Sequence, residues 1–278
     1  MINLRSFTES ELHVALHLHT AWLTGLEHGK PADLSCVDLS QHTIDGARLQ
    51  SANLAGARLP YAMKDVSLQN ADLSGADFRH ARVFKCDLSG ATLRDADIGG
   101  TRFYGVQFCA ADFSSARGGA PTFVRCDLTK AVLAEASFAQ VRFHVSELDR
   151  AQFNRANLPG MEILGGTVSL ANFLDANLSG ARIDDAVLKG TSFIRAELSR
   201  ARFQGATLKG ASFEQANLRE AVIVGVEGEL CRFDGANCTG MLLAHTSPRL
   251  GSFDRALSAP TFEKIAPPRL AAVAGLGR

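Results

Sequence analysis

Large apolar residues recur every five positions along most of the chain. In "ANLSGARIDDAVLKGTSFIRAEL", residues 176–198, they stand at Leu178, Ile183, Leu188, Phe193 and Leu198, with Ala or Thr two places before each. Neither the 3.6-residue period of a helix nor the two-residue period of a strand gives this beat. Stepping by five from Leu68 to Phe253 visits 38 positions without a register break, and all but Gly118, Gly228, Cys238 and Pro248 are Leu, Ile, Val or Phe. Two places before these positions Ala occurs 22 times. An earlier run, Leu34, Leu39, Ile44, Leu49, Leu54 and Leu59, keeps the same step. The stretch "LPYAMKDVSL" between the runs is one residue short, and taking Met63 as its core residue restores the register at Leu68.

One large and one small apolar residue in every five means that one side of the chain is buried once per pentad. The other three positions are rich in Asp, Asn, Arg, Ser and Gly, which favour turns and water. The chain must therefore turn at each pentad while keeping one side inward. A coil with four flat sides, about twenty residues per turn, does this, with backbone hydrogen bonds between coils about 4.8 Å apart. Such repeats contact mainly their neighbours and form a solenoid. A twenty-residue recurrence of Phe153, Phe173, Phe193, Phe213, Phe233 and Phe253 fits a stacked core column on one side, while Leu158, Leu178, Leu198 and Leu218 make an aliphatic neighbour.

The pentads "ADLSG" at 71–75, "ADFRH" at 76–80, "ANLSG" at 176–180 and "ANLRE" at 216–220 resemble the A-(D/N)-L-x-x motif of the pentapeptide-repeat family. The resemblance covers residues 32–255. It implies an all-β fold, a right-handed quadrilateral parallel β-helix of about eleven coils, roughly 50 Å long at strand spacing. It also implies a functional precedent, since some members protect or inhibit DNA gyrase by resembling duplex DNA.

Solenoid ends expose apolar surface and strand edges, so caps are expected. Residues 1–31 are read as an N-terminal cap, 32–257 as the β-helix and 258–278 as a C-terminal cap or tail. A helix is expected over 9–24, opened by a capping box of Thr8 and Glu11. Leu12, Ala15, Leu16, Trp22, Leu23 and Leu26 form its apolar stripe, with Trp22 as a lid and Gly25 or Gly29 ending it. His13, His17 and His19 lie close together there. They read as a solvated face, because no Glu or Cys at fitting spacing completes a zinc site.

Composition narrows the function. The chain has 29 basic and 29 acidic residues and is 46% hydrophobic. Zero net charge points to neither direct nucleic-acid binding nor a wholly acidic DNA mimic. The start "MINLRSFTESELHV" lacks the pattern of a secretory leader, and no run is long enough to insert in a membrane, so a cytoplasmic location is expected. Cys36, Cys86, Cys109, Cys126, Cys231 and Cys238 read as free thiols, four of them inward. No catalytic or phosphate-binding motif is present, and Asp184 and Asp185 read as corner residues. No enzyme activity, cofactor or metal is therefore expected.

The outward positions carry the remaining signal. Arg82, Arg102, Arg142, Arg182 and Arg202 precede core residues of one side, at multiples of twenty. Phe84, Tyr104, Val124, His144 and Leu164 follow them. The neighbouring side carries Asp87, Asp127, Glu147 and Glu227, so the two stripes either pair with each other or stand free for a partner. Arginines beside apolar residues in one outward strip have the composition of an interface. The expectation is a non-enzymatic scaffold for a protein partner, with a homodimer also open. DNA gyrase is the alternative partner implied by the resemblance, although an arginine stripe stands where mimicry would need carboxylates.

Overall fold

The computed structural model describes residues 4–247, 249–253 and 255–262. It is a parallel β-solenoid preceded by one helix. An 11-stranded parallel sheet runs along one side, from Ala62–Lys64 through Arg82–Phe84 and Arg102–Tyr104 to Leu242–Ala244 and Thr261–Phe262. Its partners are twenty residues apart over most of its length, as in Phe84 opposite Tyr104. Three further columns of single bridges complete four sides, exemplified by Asp87 with Gln107, Asp72 with Thr92, and Asp77 with Asp97.

The pentad has a backbone cause. Every residue numbered by a multiple of five from 70 to 245 has a positive φ. This left-handed residue lies two places after each core position and turns the chain. On three sides the turn closes with an i to i+3 bond, as where the Ala76 N–H donates to the Leu73 carbonyl at 3.0 Å. On the sheet side the residue after the core stays in the strand and projects outward. The missing turn bond is sometimes replaced by a side chain, with the Val66 N–H donating to Cys86 Sγ and the Cys126 N–H to Ser146 Oγ.

The core follows the beat. The phenylalanine column is stacked, with centroids 5.1 Å apart for Phe173 and Phe193 and 5.0 Å for Phe193 and Phe213. A second stack, Phe103, Phe123 and Phe143, lies beneath the sheet. Met63 is buried and pairs in register with Val83, so the short stretch does lose one residue there. Two breaks in the beat have steric reasons. A Cβ on Gly118 would come within 2.3 Å of the Gly99 nitrogen, and one on Gly228 within 2.4 Å of Leu250 Cδ1. Leu250, from the following coil, thus occupies the space that a side chain at Gly228 would take. The four inward cysteines are buried, and burial pushes the Cys126 thiol up to about 12 and those of Cys86, Cys231 and Cys238 to about 11.

The N-terminal helix spans Glu9–Leu23, and Thr8 and Glu11 form the expected capping box. Its inner face differs from expectation. Leu12 and His19 are buried, whereas Trp22 is 39% exposed and Leu26 63% exposed. His19 falls seven residues after Leu12, on the same helical stripe. Its Nδ1 accepts the Ala32 N–H at 2.9 Å, and Trp22 stacks on its ring. The solvated histidine face is therefore correct for His13 and His17 only. The bond to Ala32 ties the helix to the first coil, and His42 ties the lead-in, its Nε2 donating to the Phe7 carbonyl at 3.0 Å and its Nδ1 lying 2.9 Å from the Glu9 carboxylate. Residues 263–278 of the expected C-terminal segment lie outside the described residues.

Candidate functional site

The sheet brings the expected strip together. Phe84, Tyr104, Val124, His144 and Leu164 each end a strand on successive rungs, and all five are half-buried. Phe84 and Tyr104 stack with ring centroids 5.0 Å apart and planes 7° apart. Arg82, Arg102, Arg142, Arg182 and Arg202 are exposed on the parallel row at the strand starts. The strip forms the floor of an open groove of about 1120 Å³. Its other wall is the corner row, including Lys85, Arg125 and Val145.

Sequence reasoning missed how the row continues. One step of twenty beyond Leu164 is Asp184, and the residue between Arg142 and Arg182 is Glu162. Asp184 is no corner residue. It ends the strand Arg182–Asp184 and is only 7% exposed, and the Arg182 Nε donates to its Oδ2 at 2.5 Å. Its Oδ1 is buried and accepts no hydrogen bond. Glu162 lies 3.3 Å from Arg142 Nε and 3.6 Å from Arg182 Nη1. His144 Nε2 stands 3.8 Å from the same carboxylate. At the near end, the Arg82 guanidinium lies 5.7 Å over the Tyr61 ring. Arg202 donates to Gln204, one residue beyond its own core position.

The basic and acidic stripes do not pair with each other, contrary to one of the two expectations. Asp87 accepts from Gln69 and the Ser89 N–H, and Asp127 from the Thr129 N–H. These short side chains serve their own turns. The arginines of the sheet face instead find carboxylates on their own face, and only from residue 142 onward.

On another side of the coil, Asp77 is held below its ordinary range by the bidentate Arg79 guanidinium two residues away. Among the described residues, no group of three or more His, Cys, Asp or Glu side chains is placed to hold a metal. Among them, too, no helix is long and apolar enough to cross a membrane.

Solved structures resemble the chain at low identity and low TM-score. HetL, a pentapeptide repeat protein involved in heterocyst differentiation regulation from the cyanobacterium Nostoc sp. strain PCC 7120, is 24% identical over 84% of this chain and 98% of its own, with a TM-score of 0.39. QnrB1 after trypsin treatment, a plasmid-mediated fluoroquinolone resistance protein, is 19% identical over 72% of this chain and 89% of its own, with a TM-score of 0.43. A pentapeptide repeat protein from the Arabidopsis thaliana thylakoid lumen is 23% identical over 45% of this chain and 63% of its own, with a TM-score of 0.20. No curated protein matches the chain. The family model for pentapeptide repeats matches in 8 copies, over residues 62–82, 86–117, 123–160, 171–210 and 196–227. More than half of the sequence carries these repeats, and the chain belongs to the pentapeptide-repeat family.

Proposed function

We propose that the protein is a non-enzymatic scaffold that binds a protein partner through its sheet face. The observation that carries this reading is the continuous groove floored by the half-buried row from Phe84 to Leu164 and edged by Lys85, Arg125 and Arg182, with the exposed arginine row at the strand starts beside it. Single exposed apolar residues are ordinary. Five on consecutive rungs, about 4.8 Å apart, make a contiguous surface. The groove is open along its length, which suits a macromolecule better than an enclosed small substrate. An acidic duplex mimic acting on gyrase fits this face poorly, since its outward rows start with arginine.

The test is capture by the immobilised full chain from extracts of the source cell. Tyr104→Ala with Arg102→Glu removes one apolar contact and one cation that has no carboxylate partner, so the thermal midpoint should hold. Arg142 is a poorer choice, because reversing it sets a carboxylate against Glu162. Capture should be lost in this variant and retained by Ala134→Glu on the opposite side of the coil. Equal capture by both variants sinks the reading. A supercoiling assay with gyrase, with and without quinolone, gives the alternative its own outcome.

A further inference from the structure

Along the groove, cations without a carboxylate partner gather toward one end, while Asp185 stands exposed at the other. Arg82, Lys85, Arg102 and Arg125 have no carboxylate partner among the described residues. Beyond them, Arg142 and Arg182 share Glu162, and Arg182 also holds Asp184. The groove is thus cationic over rungs 82–125 and balanced or acidic at rungs 162–185, where Asp185 is exposed. We infer that its occupant is an amphipathic α-helix of a partner protein, bearing carboxylates beside its apolar face and lying along the solenoid axis. This rests on the scaffold reading above and names the partner's chemistry.

Spacing selects the helix. Groove side chains repeat about every 4.8 Å. Helical neighbours three and four apart are separated by about 4.5 and 6 Å along their axis, which brackets that step. Same-face residues of a strand are about 6.6 Å apart and fall out of step within two rungs. From rung 84 to rung 164 is about 19 Å, the length of roughly 13 helical residues.

Charge selects carboxylates and orients the helix. A helix carries positive partial charge at its N-terminus and negative at its C-terminus. Its unsatisfied N–H groups match the exposed carboxylate of Asp185. Its C-terminal half then lies over Arg82, Lys85, Arg102 and Arg125, and this is the half that needs acidic flanks. Single-stranded nucleic acid is a poorer polyanion here, because it binds by stacking bases on aromatic faces. Phe84 and Tyr104 turn a face to each other across adjacent rungs, leaving mainly ring edges for the groove.

The test uses the full chain and fluorescently labelled fifteen-residue peptides, read by anisotropy. The probe has Leu at alternating three- and four-residue spacing, Glu flanking them in its C-terminal half and Gln elsewhere. One control scrambles the same composition, and another replaces Glu by Lys. The probe should bind at least tenfold more tightly than either control and weaken with added salt. Lys85→Glu with Arg102→Glu should lower its affinity at least tenfold without moving the thermal midpoint, and Tyr104→Ala should weaken it too. Equal binding of the scrambled or basic peptide overturns the inference, as does binding that the variants leave unchanged. Preference for a fifteen-nucleotide oligo-dT, or a concentration-dependent dimer broken by Tyr104→Ala, overturns it in favour of another occupant. If the probe fails while Tyr104→Ala with Arg102→Glu still abolishes natural capture, the helix falls and the scaffold stands; if capture is also unaffected, both fall.

Discussion

Replacing Phe193 by Ala tests the stacked core most directly. The ring is fully buried between Phe173 and Phe213, at 5.1 and 5.0 Å, with Phe203 edge-on at 6.0 Å. A buried aromatic side chain removes about 150–250 Å² from water. At about 25 cal/mol/Å² that is roughly 4–6 kcal/mol, of which Ala retains a part. Collapse is resisted, because the rungs are held apart by ladder bonds such as the Phe193 N–H to the Ser212 carbonyl at 2.7 Å. A loss of about 3–5 kcal/mol is expected. Ser192→Ala, one residue away on the half-buried outer side, should cost under about 0.5 kcal/mol. Urea unfolding followed by circular dichroism reads both as midpoint shifts at constant slope. Equal losses, or less than about 1 kcal/mol for Phe193→Ala, would refute the inward column. A fall in slope instead means that the rod breaks into separately melting halves at the damaged rung.

Burial holds the His19 pKa below its ordinary 6.5. The unfolded chain therefore takes up the proton first, and stability contributed by this site is present above about pH 6.5 and lost as pH falls through the lower folded value. Thermal melts between pH 7.5 and 5 should show this loss in the native chain and less of it in His19→Gln, whereas identical profiles would remove the role of His19. Deleting residues 1–30 strips the helix from the first coil and exposes Leu34 and Val37, so the shortened rod should self-associate in light scattering. A monomeric and equally stable product would remove the cap role. Val145→Gly should raise stability by about 0.5–1 kcal/mol, since a left-handed backbone costs a branched residue about 1–2 kcal/mol and glycine forfeits about 0.5–1 in chain entropy. A lower melting temperature would mean that the Val145 side chain packs more than its 62% exposure indicates.

The pentad was legible because one backbone event repeats. A left-handed residue every five positions forces large and small apolar residues into fixed places, so the core from Leu34 to Leu243 could be written down by counting. Outward placement of the strip followed from the same count. What counting did not supply was which charges meet. Residues twenty apart are one rung apart, so Arg142, Glu162 and Arg182 were adjacent in principle, yet reading the row as a stripe of arginines passed over Glu162. Asp184 was misplaced for a related reason: on the sheet side the residue after the core remains in the strand, and only the next one, Asp185, turns the corner. Trp22 was misjudged because a helical stripe fixes which residues share a face, while its rotation on the first coil depends on contacts such as the Ala32 N–H to His19.

The solenoid also explains how such a face can be built at all. Each rung is stabilised by its own buried pair and by bonds to the rungs on either side, so a change in an outward residue stays local. The coil therefore tolerates Val145 at a left-handed corner with φ 48 and 62% exposure, a position where a branched side chain is strained and gains little burial. It tolerates a half-buried aromatic stack at Phe84 and Tyr104 without disturbing Val83 and Phe103 beneath. Phe84, Tyr104 and Val145 lie within four rungs of one side and line one groove. Such departures, above a core that keeps its beat, cost stability locally, and the proposed partner contact is what would offset that cost.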